Sequence, residues 1–227
     1  MIAIAIDGPA GAGKSTIARQ AAKTLGFIYV DTGALYRAVG LHMMRNGVDP
    51  SDQEAVRSEL PGVSVTLAFR SGEQKVLLAG RDVTSEIRTE QVSKAASAVS
   101  AMPEVRKFLF SMQRELAEKQ NVVMDGRDIG TVILPHAQVK IFLTASQEER
   151  ARRRYTELLQ KGQKAEYADV LKEIEHRDYR DSHRGAAPLI QAEDSILVDT
   201  TKMTLEQSVK RVVGIIRAGL KNLNENW

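Results

Sequence analysis

The stretch Gly8-Pro9-Ala10-Gly11-Ala12-Gly13-Lys14-Ser15 decides how the rest of this chain is interpreted. It follows a short apolar run at residues 2–6, which is typical of a buried strand, and it opens a stretch with apolar residues at helical spacing. Glycines let the backbone curl so that successive N–H groups point at phosphate oxygens, and the start of a helix adds partial positive charge. Strand, loop and helix together predict a site that binds the phosphates of ATP or GTP.

Two side chains of this loop carry chemistry of their own. Lys14 is long enough to reach the β- and γ-phosphates, and the hydroxyl of Ser15 can bind Mg²⁺. We therefore predict Mg²⁺ as the cofactor, bound through ATP beside Ser15. Phosphate loops of this kind occur in switches, motors, DNA-handling ATPases and small-molecule kinases, so the reaction depends on what lies on the acceptor side.

Short apolar runs alternate with longer helical patterns in the rest of the chain. Runs that are apolar throughout are typical of parallel strands covered on both faces, and their alternation with helices indicates βαβ units. We predict an α/β fold, a phosphate-loop NTPase core with a five-stranded parallel sheet flanked by helices. Thr204 and Gln207 have the spacing of a capping box, which predicts the start of the last helix. The predicted strands lie at residues 2–6, 27–30, 122–124, 139–143 and 196–198.

One segment departs from the parallel-sheet pattern. Residues 63–69 alternate apolar with small or polar side chains, which is the period of a half-exposed strand. Residues 71–73 predict a turn, and residues 74–79 predict a return strand. We expect a small antiparallel insert at about residues 60–90 that builds a substrate lobe or a lid. A decorative hairpin is the alternative.

The composition limits the class of protein. The 227 residues carry 32 Lys and Arg against 29 Asp and Glu, a net charge of +3, which gives little support to a nucleic-acid-binding face. Aromatic residues make up 5%, few for base stacking, and the absence of cysteine excludes disulfides and suits a reducing compartment. No apolar run has the length of a membrane span or the pattern of a signal peptide. We expect one cytoplasmic domain, residues 1–227, with no nucleic-acid or membrane partner.

Two acidic turns follow predicted strands and should meet at one edge of the sheet. Asp31-Thr32-Gly33-Ala34-Leu35-Tyr36-Arg37 follows the second strand, and Asp125-Gly126-Arg127-Asp128 follows the third. The carboxyl ends of parallel strands lie beside the first phosphate loop, where ligands bind. Asp31 or Asp125 can hold Mg²⁺ through water, and Arg37 can clamp a second phosphate. The alternative for residues 31–37 is a capped helix with a surface arginine, and the alternative for residues 125–128 is a plain turn that ends the strand.

Charged residues cluster in two further predicted helices. Positions 177, 180, 181 and 184 are spaced so as to share one helical face. An arginine-rich helical hairpin can close over phosphates, and phosphoryl transfer is catalysed mainly by positioning and positive charge. A salt-bridged, solvated surface is the alternative. The clusters are Arg150, Arg152, Arg153 and Arg154 in the first helix, and Arg177, Asp178, Arg180, Asp181 and Arg184 near the end of the second.

These segments in combination resemble the bacterial cytidylate kinases, within the nucleoside monophosphate kinase family, over nearly the whole chain. The resemblance depends on Asp-Thr-Gly-Ala-Leu-Tyr-Arg at 31–37, Asp-Gly-Arg-Asp-Ile-Gly-Thr at 125–131 and Arg-Asp-x-Arg-Asp at 177–181. It implies a single-domain monomer that binds no nucleic acid. The implied division is a core at about residues 1–59, 90–150 and 185–227, a nucleotide-monophosphate-binding insert at about 60–90 and a helical lid at about 150–184.

The resemblance also implies roles for individual residues. Asp128 can accept a hydrogen bond from cytosine N4 and Arg106 can donate to N3 and O2, whereas uracil presents O4 and N3–H at these places. The implied catalytic residues are Lys14, Arg127, Arg177 and Arg184. The implied ATP-binding residues are Gly8, Pro9, Ala10, Gly11, Ala12, Gly13, Lys14, Ser15, Thr16 and Arg153. The implied CMP-binding residues are Ser97, Arg106 and Asp128 on the base, Asp181 on the ribose, Arg37, Arg127 and Arg177 on the phosphate, Arg184 between the two phosphate groups, and also Thr32.

The expected reaction is transfer of the γ-phosphoryl group of ATP to CMP or dCMP, which gives ADP and CDP or dCDP. Two alternatives stay open. One is another small-acceptor kinase with a phosphate loop, acting on UMP, AMP or shikimate. The other is a nucleic-acid-linked NTPase, which would hydrolyse ATP without making a phosphorylated nucleotide.

Overall fold

A five-stranded parallel sheet forms the centre of the molecule, and a separate three-stranded antiparallel sheet lies beside it. The computed structural model describes residues 1–70 and 73–224. The strands are β1 (Ala3–Asp7), β2 (Ile28–Asp31), β3 (Val65–Arg70), β4 (Glu73–Leu78), β5 (Arg81–Asp82), β6 (Val122–Gly126), β7 (Val139–Thr144) and β8 (Ile196–Asp199). The helices are α1 (Lys14–Leu25), α2 (Thr32–Arg45), α3 (Gln53–Glu59), α4 (Glu90–Val99), α5 (Pro103–Lys119), α6 (Gln147–Gln160), α7 (Tyr167–His183) and α8 (Leu205–Asn224).

The parallel sheet has the order β2-β6-β1-β7-β8, and all five predicted strands are confirmed within two residues of their expected bounds. Most of them run past the apolar residues into the polar residue that follows. The reason is that backbone pairing continues there, with Asp7 opposite Gly126 and Asp31 opposite Asp125. The ladder therefore brings the acidic strand ends together at one edge.

Both faces of the sheet are covered, which explains why its strands are apolar throughout. On β1, Ile4 and Ile6 share a buried cluster with Ile17 of α1 and Val212 of α8. The alternate residues of β1 share a second cluster with Ala117 of α5. The predicted capping box of α8 is confirmed, because Thr204 and Gln207 exchange hydrogen bonds of 2.9 and 3.2 Å.

The predicted antiparallel insert is confirmed and has a third short strand. Val65 of β3 and Val76 of β4 are buried in the same cluster as Val39 of α2 and Val92 of α4, so the hairpin shares a core with these helices. The turn predicted at residues 71–73 lies mostly outside the described residues.

The predicted helical hairpin is formed by α6 and α7, which pack through Ala151, Val170 and Ile174. The residue bounds of core, insert and lid stay predictions. Among the residues that the structure describes, none belongs to a helix long and apolar enough to cross a membrane.

Candidate active site

The phosphate loop joins β1 to α1 and depends on its glycines. Gly8, Gly11 and Gly13 have φ angles of 149°, 76° and 88°, a region that other residues rarely adopt. A Cβ atom at Gly8 would lie 1.9 Å from the carbonyl oxygen of Leu143, so only glycine fits there. The loop therefore has the conformation that its sequence predicts.

Lys14 lies buried at the start of α1, where its Nζ donates a hydrogen bond of 2.7 Å to the carbonyl oxygen of Pro9. Burial lowers the pKa of Lys14 well below its ordinary value, and the nearby Arg127 lowers it further, while Asp125 opposes the shift. The effect of Arg127 on Lys14 shows that both basic side chains lie near the mouth of the loop, where a phosphate charge would favour their protonated forms.

Asp125, near the end of β6, connects the loop to the neighbouring strand. Its carboxylate accepts hydrogen bonds from the Ser15 hydroxyl at 3.0 Å and from the Tyr29 hydroxyl at 2.8 Å. Burial raises the pKa of Asp125 to about 6, and repulsion from Asp31 adds to the shift. This carboxylate is the acidic group that directly contacts Ser15.

Asp31 serves a different purpose, because both of its side-chain oxygens bind protein groups. Oδ1 accepts the N–H of Ala34 at 3.0 Å, which caps α2, and Oδ2 accepts from Arg88 at 2.9 Å. Burial opposes ionisation, but Arg37 and Arg88 outweigh it and hold the pKa of Asp31 below its ordinary value. The Thr32 hydroxyl is likewise engaged, donating 2.8 Å to the carbonyl oxygen of Asp125.

Arg37, Arg127 and Arg177 form a cluster of guanidinium groups that influence one another electrostatically. Burial and the charge of Arg127 lower the pKa of Arg177 to about 10. Arg127 is compensated by Asp181, whose Oδ2 accepts from its Nε at 2.8 Å. The Nε atoms of Arg37 and Arg177 are buried and have no hydrogen-bond partner among the described residues. Two buried, unpaired donors beside a third guanidinium indicate an anion site.

Asp128 lies between two arginines and close to Tyr36 of α2. Its Oδ2 binds Arg106 and its Oδ1 accepts from Arg184 at 3.3 Å. Arg106 in turn lies over the ring of Tyr36, with 5.6 Å between the guanidinium carbon and the ring centroid. Ser97, the third predicted base reader, is half-buried on α4. The structure thus brings Arg106 and Asp128 together, although they are 22 residues apart in the chain.

The arginines of α6 have separate roles. Arg150 is buried and binds Asp178 of α7 at 2.9 Å, the carbonyl oxygen of Ala10 at 3.0 Å and that of Ala145 at 2.9 Å. Arg153 donates to the carbonyl oxygen of Thr200 at 2.7 Å and approaches the carbonyl oxygen of Ala12 at 3.5 Å. Both therefore lie against the phosphate loop. Arg152 and Arg154 are paired with Glu149 and Glu157 near the surface.

The prediction that residues 177, 180, 181 and 184 share one helical face is wrong in part. Arg177 and Asp181 do face the site, but Arg180 is exposed. Arg184 reaches Asp128 from beyond the helix, because α7 ends at His183 and Arg184 has an extended backbone with φ −65° and ψ 141°. The shared face is shorter than the spacing predicts.

Four residues at or beside this site were not assigned a role from the sequence: Asp7, Tyr29, Gln74 and Arg88. Asp7 is an acidic residue directly after an apolar run, as Asp31 and Asp125 are, so the same rule would have found it. The Gln74 amide pairs with both backbone groups of Asp31, with Asp31 N–H to Oε1 at 2.8 Å and Nε2 to the Asp31 carbonyl oxygen at 3.2 Å. No local pattern marks that contact.

Comparison with known proteins identifies the family. The sequence model described as cytidylate kinase matches residues 4–218. This chain belongs to the cytidylate kinase family. A protein named cytidylate kinase from Carboxydothermus hydrogenoformans is 52% identical over 96% of this chain and 98% of its own length. Another with that name, from Caldanaerobacter subterraneus subsp. tengcongensis, is 52% identical over 97% and 96%.

A solved structure of an uncharacterized protein from Eubacterium ventriosum shares the fold, with a TM-score of 0.52 and 12% identity over 96% of this chain and 99% of its own. Membership in the cytidylate kinase family confirms the resemblance predicted from the motifs. It identifies the chain as an enzyme that binds nucleotides and transfers phosphoryl groups.

Proposed function

We propose that this chain transfers the γ-phosphoryl group of ATP to CMP or dCMP, which gives ADP and CDP or dCDP. The observation that carries the proposal is the guanidinium cluster with two buried, unpaired Nε atoms. It is coupled electrostatically to Lys14 of the phosphate loop. Arg127 is adjacent in sequence to Asp128, which with Arg106 and Ser97 forms the proposed base pocket. A second nucleotide placed there would have its phosphate facing ATP.

The donor side consists of residues 8–16 and Arg153. The backbone N–H groups of the loop bind the β-phosphate region, and Lys14 neutralises charge on the transferred group. Arg153 contacts the carbonyl oxygens of Ala12 and Thr200, and these contacts hold it beside the loop. We assign Arg153, rather than Arg152 or Arg154, to the ATP side for this reason.

Mg²⁺ fits the oxygen groups beside the loop. Ser15 and Asp125 provide a hydroxyl and a carboxylate 3.0 Å apart, and hard oxygen ligands suit this ion. Among the described residues, no group of three or more acidic, His or Cys side chains is arranged to hold a metal alone, which agrees with an ion bound mainly through ATP. We propose Asp125 as the carboxylate that acts through water, because Asp31 is occupied by Ala34 and Arg88. The ion supplies charge neutralisation at the phosphates.

The acceptor phosphate would be held by Arg37, Arg127 and Arg177, with Arg184 near the transferred group. Its oxygen attacks in line, and no covalent intermediate on the protein is needed, because positioning and positive charge supply most of the catalysis. The Thr32 hydroxyl lies at the start of α2 beside this cluster. Asp181, which Arg127 holds in place, is the residue proposed to bind the ribose hydroxyls.

The base is proposed to be read by Asp128, Arg106 and Ser97. Asp128 accepts from the N4 amine of cytosine, and Arg106 donates to ring acceptors. UMP would place O4 against the Asp128 carboxylate, and an unpaired buried group discriminates strongly.

A coupled assay of ADP release with CMP, dCMP, UMP, AMP, GMP and shikimate tests the proposal. We expect CMP and dCMP to be the best acceptors, with kcat/KM for UMP lower by about tenfold or more. Equal rates with all acceptors, or none with CMP, would contradict it. ADP release that depends on added RNA or DNA and yields no nucleoside diphosphate from CMP would favour the NTPase alternative.

We further propose that the enzyme works as a cytoplasmic monomer without nucleic acid. The near-balanced charge and scarce aromatic residues support the absence of a nucleic-acid partner. Light scattering coupled to gel filtration tests whether the chain is a monomer, and a mass near twice 25.0 kDa would contradict this.

A further inference from the structure

Asp7 is the last residue of β1 and directly precedes the phosphate loop, yet its carboxylate binds the opposite half of the site. Oδ1 accepts the N–H of Ile129 at 2.8 Å, and Oδ2 accepts the N–H of Gly130 at 2.7 Å. Asp7 is 5% exposed, so both bonds are shielded from water. One side chain thus links the end of β1 to the segment that follows Asp128.

The two N–H groups belong to the first turn of a π-helix, Ile129–Ile133. First-turn N–H groups of a helix have no partner inside the helix, and leaving them buried and unpaired is costly. An aspartate at the N-cap position normally satisfies them. Asp128 occupies that position here, but its side chain makes no capping hydrogen bond. Its oxygens bind Arg106 and Arg184 instead.

We propose that Asp7 is a positioning residue for base selection: by capping the turn in place of Asp128, it keeps the Asp128 carboxylate in the base pocket. The inference rests on the proposed function, in which Asp128 recognises the N4 amine of CMP. With Asp7→Asn, one oxygen becomes an amide N–H₂ that faces a backbone N–H. Asp128 is then drawn back to cap its own turn, and it faces the base less often.

A purely structural role for Asp7 predicts a different result. It would lower stability and reduce activity with every acceptor in the same proportion. A role toward the metal or ATP would raise KM for ATP. A positioning role toward Asp128 changes the ratio between acceptors and leaves KM for ATP nearly the same.

The test is the ratio of kcat/KM with CMP to kcat/KM with UMP in wild type and Asp7→Asn. We expect this ratio to fall about tenfold in the variant, with KM for ATP changed less than about threefold. The matched control is Asp52→Asn, because the Asp52 carboxylate also accepts two backbone N–H groups, at 3.0 and 3.1 Å, at the start of α3. The control should keep the wild-type ratio.

The outcomes separate the inference from the proposed function. Wild type that does not phosphorylate CMP overturns the proposed function itself. Wild type that prefers CMP, together with an unchanged ratio in Asp7→Asn, overturns only the inference. A ratio that changes equally in Asp52→Asn also overturns it.

A double-mutant cycle tests whether Asp7 acts through Asp128. Asp128→Ala removes the preference, so adding Asp7→Asn should change the ratio by less than about twofold. If the two substitutions reduce the ratio of kcat/KM for CMP to kcat/KM for UMP independently, so that their effects add as free energies in the double variant, the inference is contradicted.

If Asp7→Asn does not fold, Asp7→Glu takes its place. The carboxylate of Asp7 accepts the N–H groups of Ile129 and Gly130 at 2.8 and 2.7 Å, and the added methylene of glutamate displaces it from both. The ratio of kcat/KM for CMP to that for UMP should fall by about threefold or more, because the hydrogen bonds of the residue 7 carboxylate to the turn are lost. An unchanged ratio overturns the inference.

Discussion

At the scale of single residues, the site is built from charges that burial disfavours. Burial raises the pKa of Asp7 and of Asp125 to about 6, and it lowers the pKa of Arg177 to about 10. Lys14 has a lowered pKa for the same reason. Groups of this kind lower stability and are typical of sites that handle charged ligands. The free energy that is lost by burying these charged groups should make the stability of the folded chain depend on pH.

We predict that the free energy of unfolding rises as the pH falls from 7 to 5. The folded chain takes up protons at Asp7 and Asp125 near pH 6, whereas the ordinary pKa is 3.8, so the folded state binds more protons in this window. Each carboxyl contributes about 1 kcal/mol over the interval. Asp31 and Asp181 have pKa values below 3.8, so their protonation lowers the free energy of unfolding only when the pH falls below this window.

Urea titrations at pH 7, 6 and 5 measure this dependence. Asp125→Asn is the informative variant, because it removes one of the two groups and should remove about half of the rise. A stability that is flat or declines from pH 7 to 5 would contradict the prediction.

At the scale of elements, Arg150 holds the α6–α7 hairpin against the phosphate loop. It is buried and joins Asp178 of α7 to the carbonyl oxygen of Ala10. We predict that Arg150→Ala destabilises the chain by about 3 kcal/mol, because breaking a buried ion pair leaves its partner uncompensated. Chemical denaturation measures the loss. Arg152→Ala is the control, since Arg152 is exposed in the same helix and should cost less than about 1 kcal/mol. Equal losses in the two variants would contradict this role.

Gln74 connects the antiparallel insert to the end of β2. Its amide bonds to both backbone groups of Asp31, the residue that caps the helix carrying Arg37. We predict that Gln74→Ala raises KM for CMP about three- to tenfold and leaves KM for ATP unchanged, because two hydrogen bonds that place the acceptor side are lost. Steady-state kinetics with each substrate varied in turn measure both values. Lys75→Ala, at the next position of β4, is the control and should change neither KM for CMP nor KM for ATP. A rise in both KM values with Gln74→Ala would contradict the prediction.

The sequence predicts those elements that local patterns specify. The apolar runs predict the five strands, and Thr204 with Gln207 predicts the start of α8, because each signal lies within a few residues. The partners of buried charges are not predictable in this way. Arg150 and Arg153 lie three positions apart in α6, yet one binds Asp178 and the other Thr200. Such contacts join distant segments, and spacing along one helix does not select among them.

At the scale of the whole molecule, the two halves of the site meet where the strands of the parallel sheet end. Asp7, Asp31 and Asp125 lie at neighbouring strand ends because β2, β6 and β1 are adjacent in the sheet. The insert and the α6–α7 hairpin contribute residues from either side, including Gln74 and Arg177. A ligand that binds several of these elements should therefore stabilise the folded chain as a unit.

We predict that CMP raises the melting temperature. At about 100 times its Kd, a ligand of the folded state adds about 2.7 kcal/mol, which for a chain of this size corresponds to roughly 5–10 °C. Scanning fluorimetry measures the shift. Arg177→Ala should reduce it, because the guanidinium cluster is proposed to bind the CMP phosphate, and UMP should give a smaller shift in wild type. Identical shifts with CMP and UMP would contradict the assignment of the base pocket.

³¹P NMR of the wild-type enzyme with ATP, Mg²⁺ and CMP follows the proposed phosphoryl transfer from donor to acceptor. We predict that the γ-phosphorus signal of ATP decreases while the β-phosphorus signals of ADP and CDP grow in equal amounts, with no added nucleic acid. Growth of inorganic phosphate without CDP would contradict it.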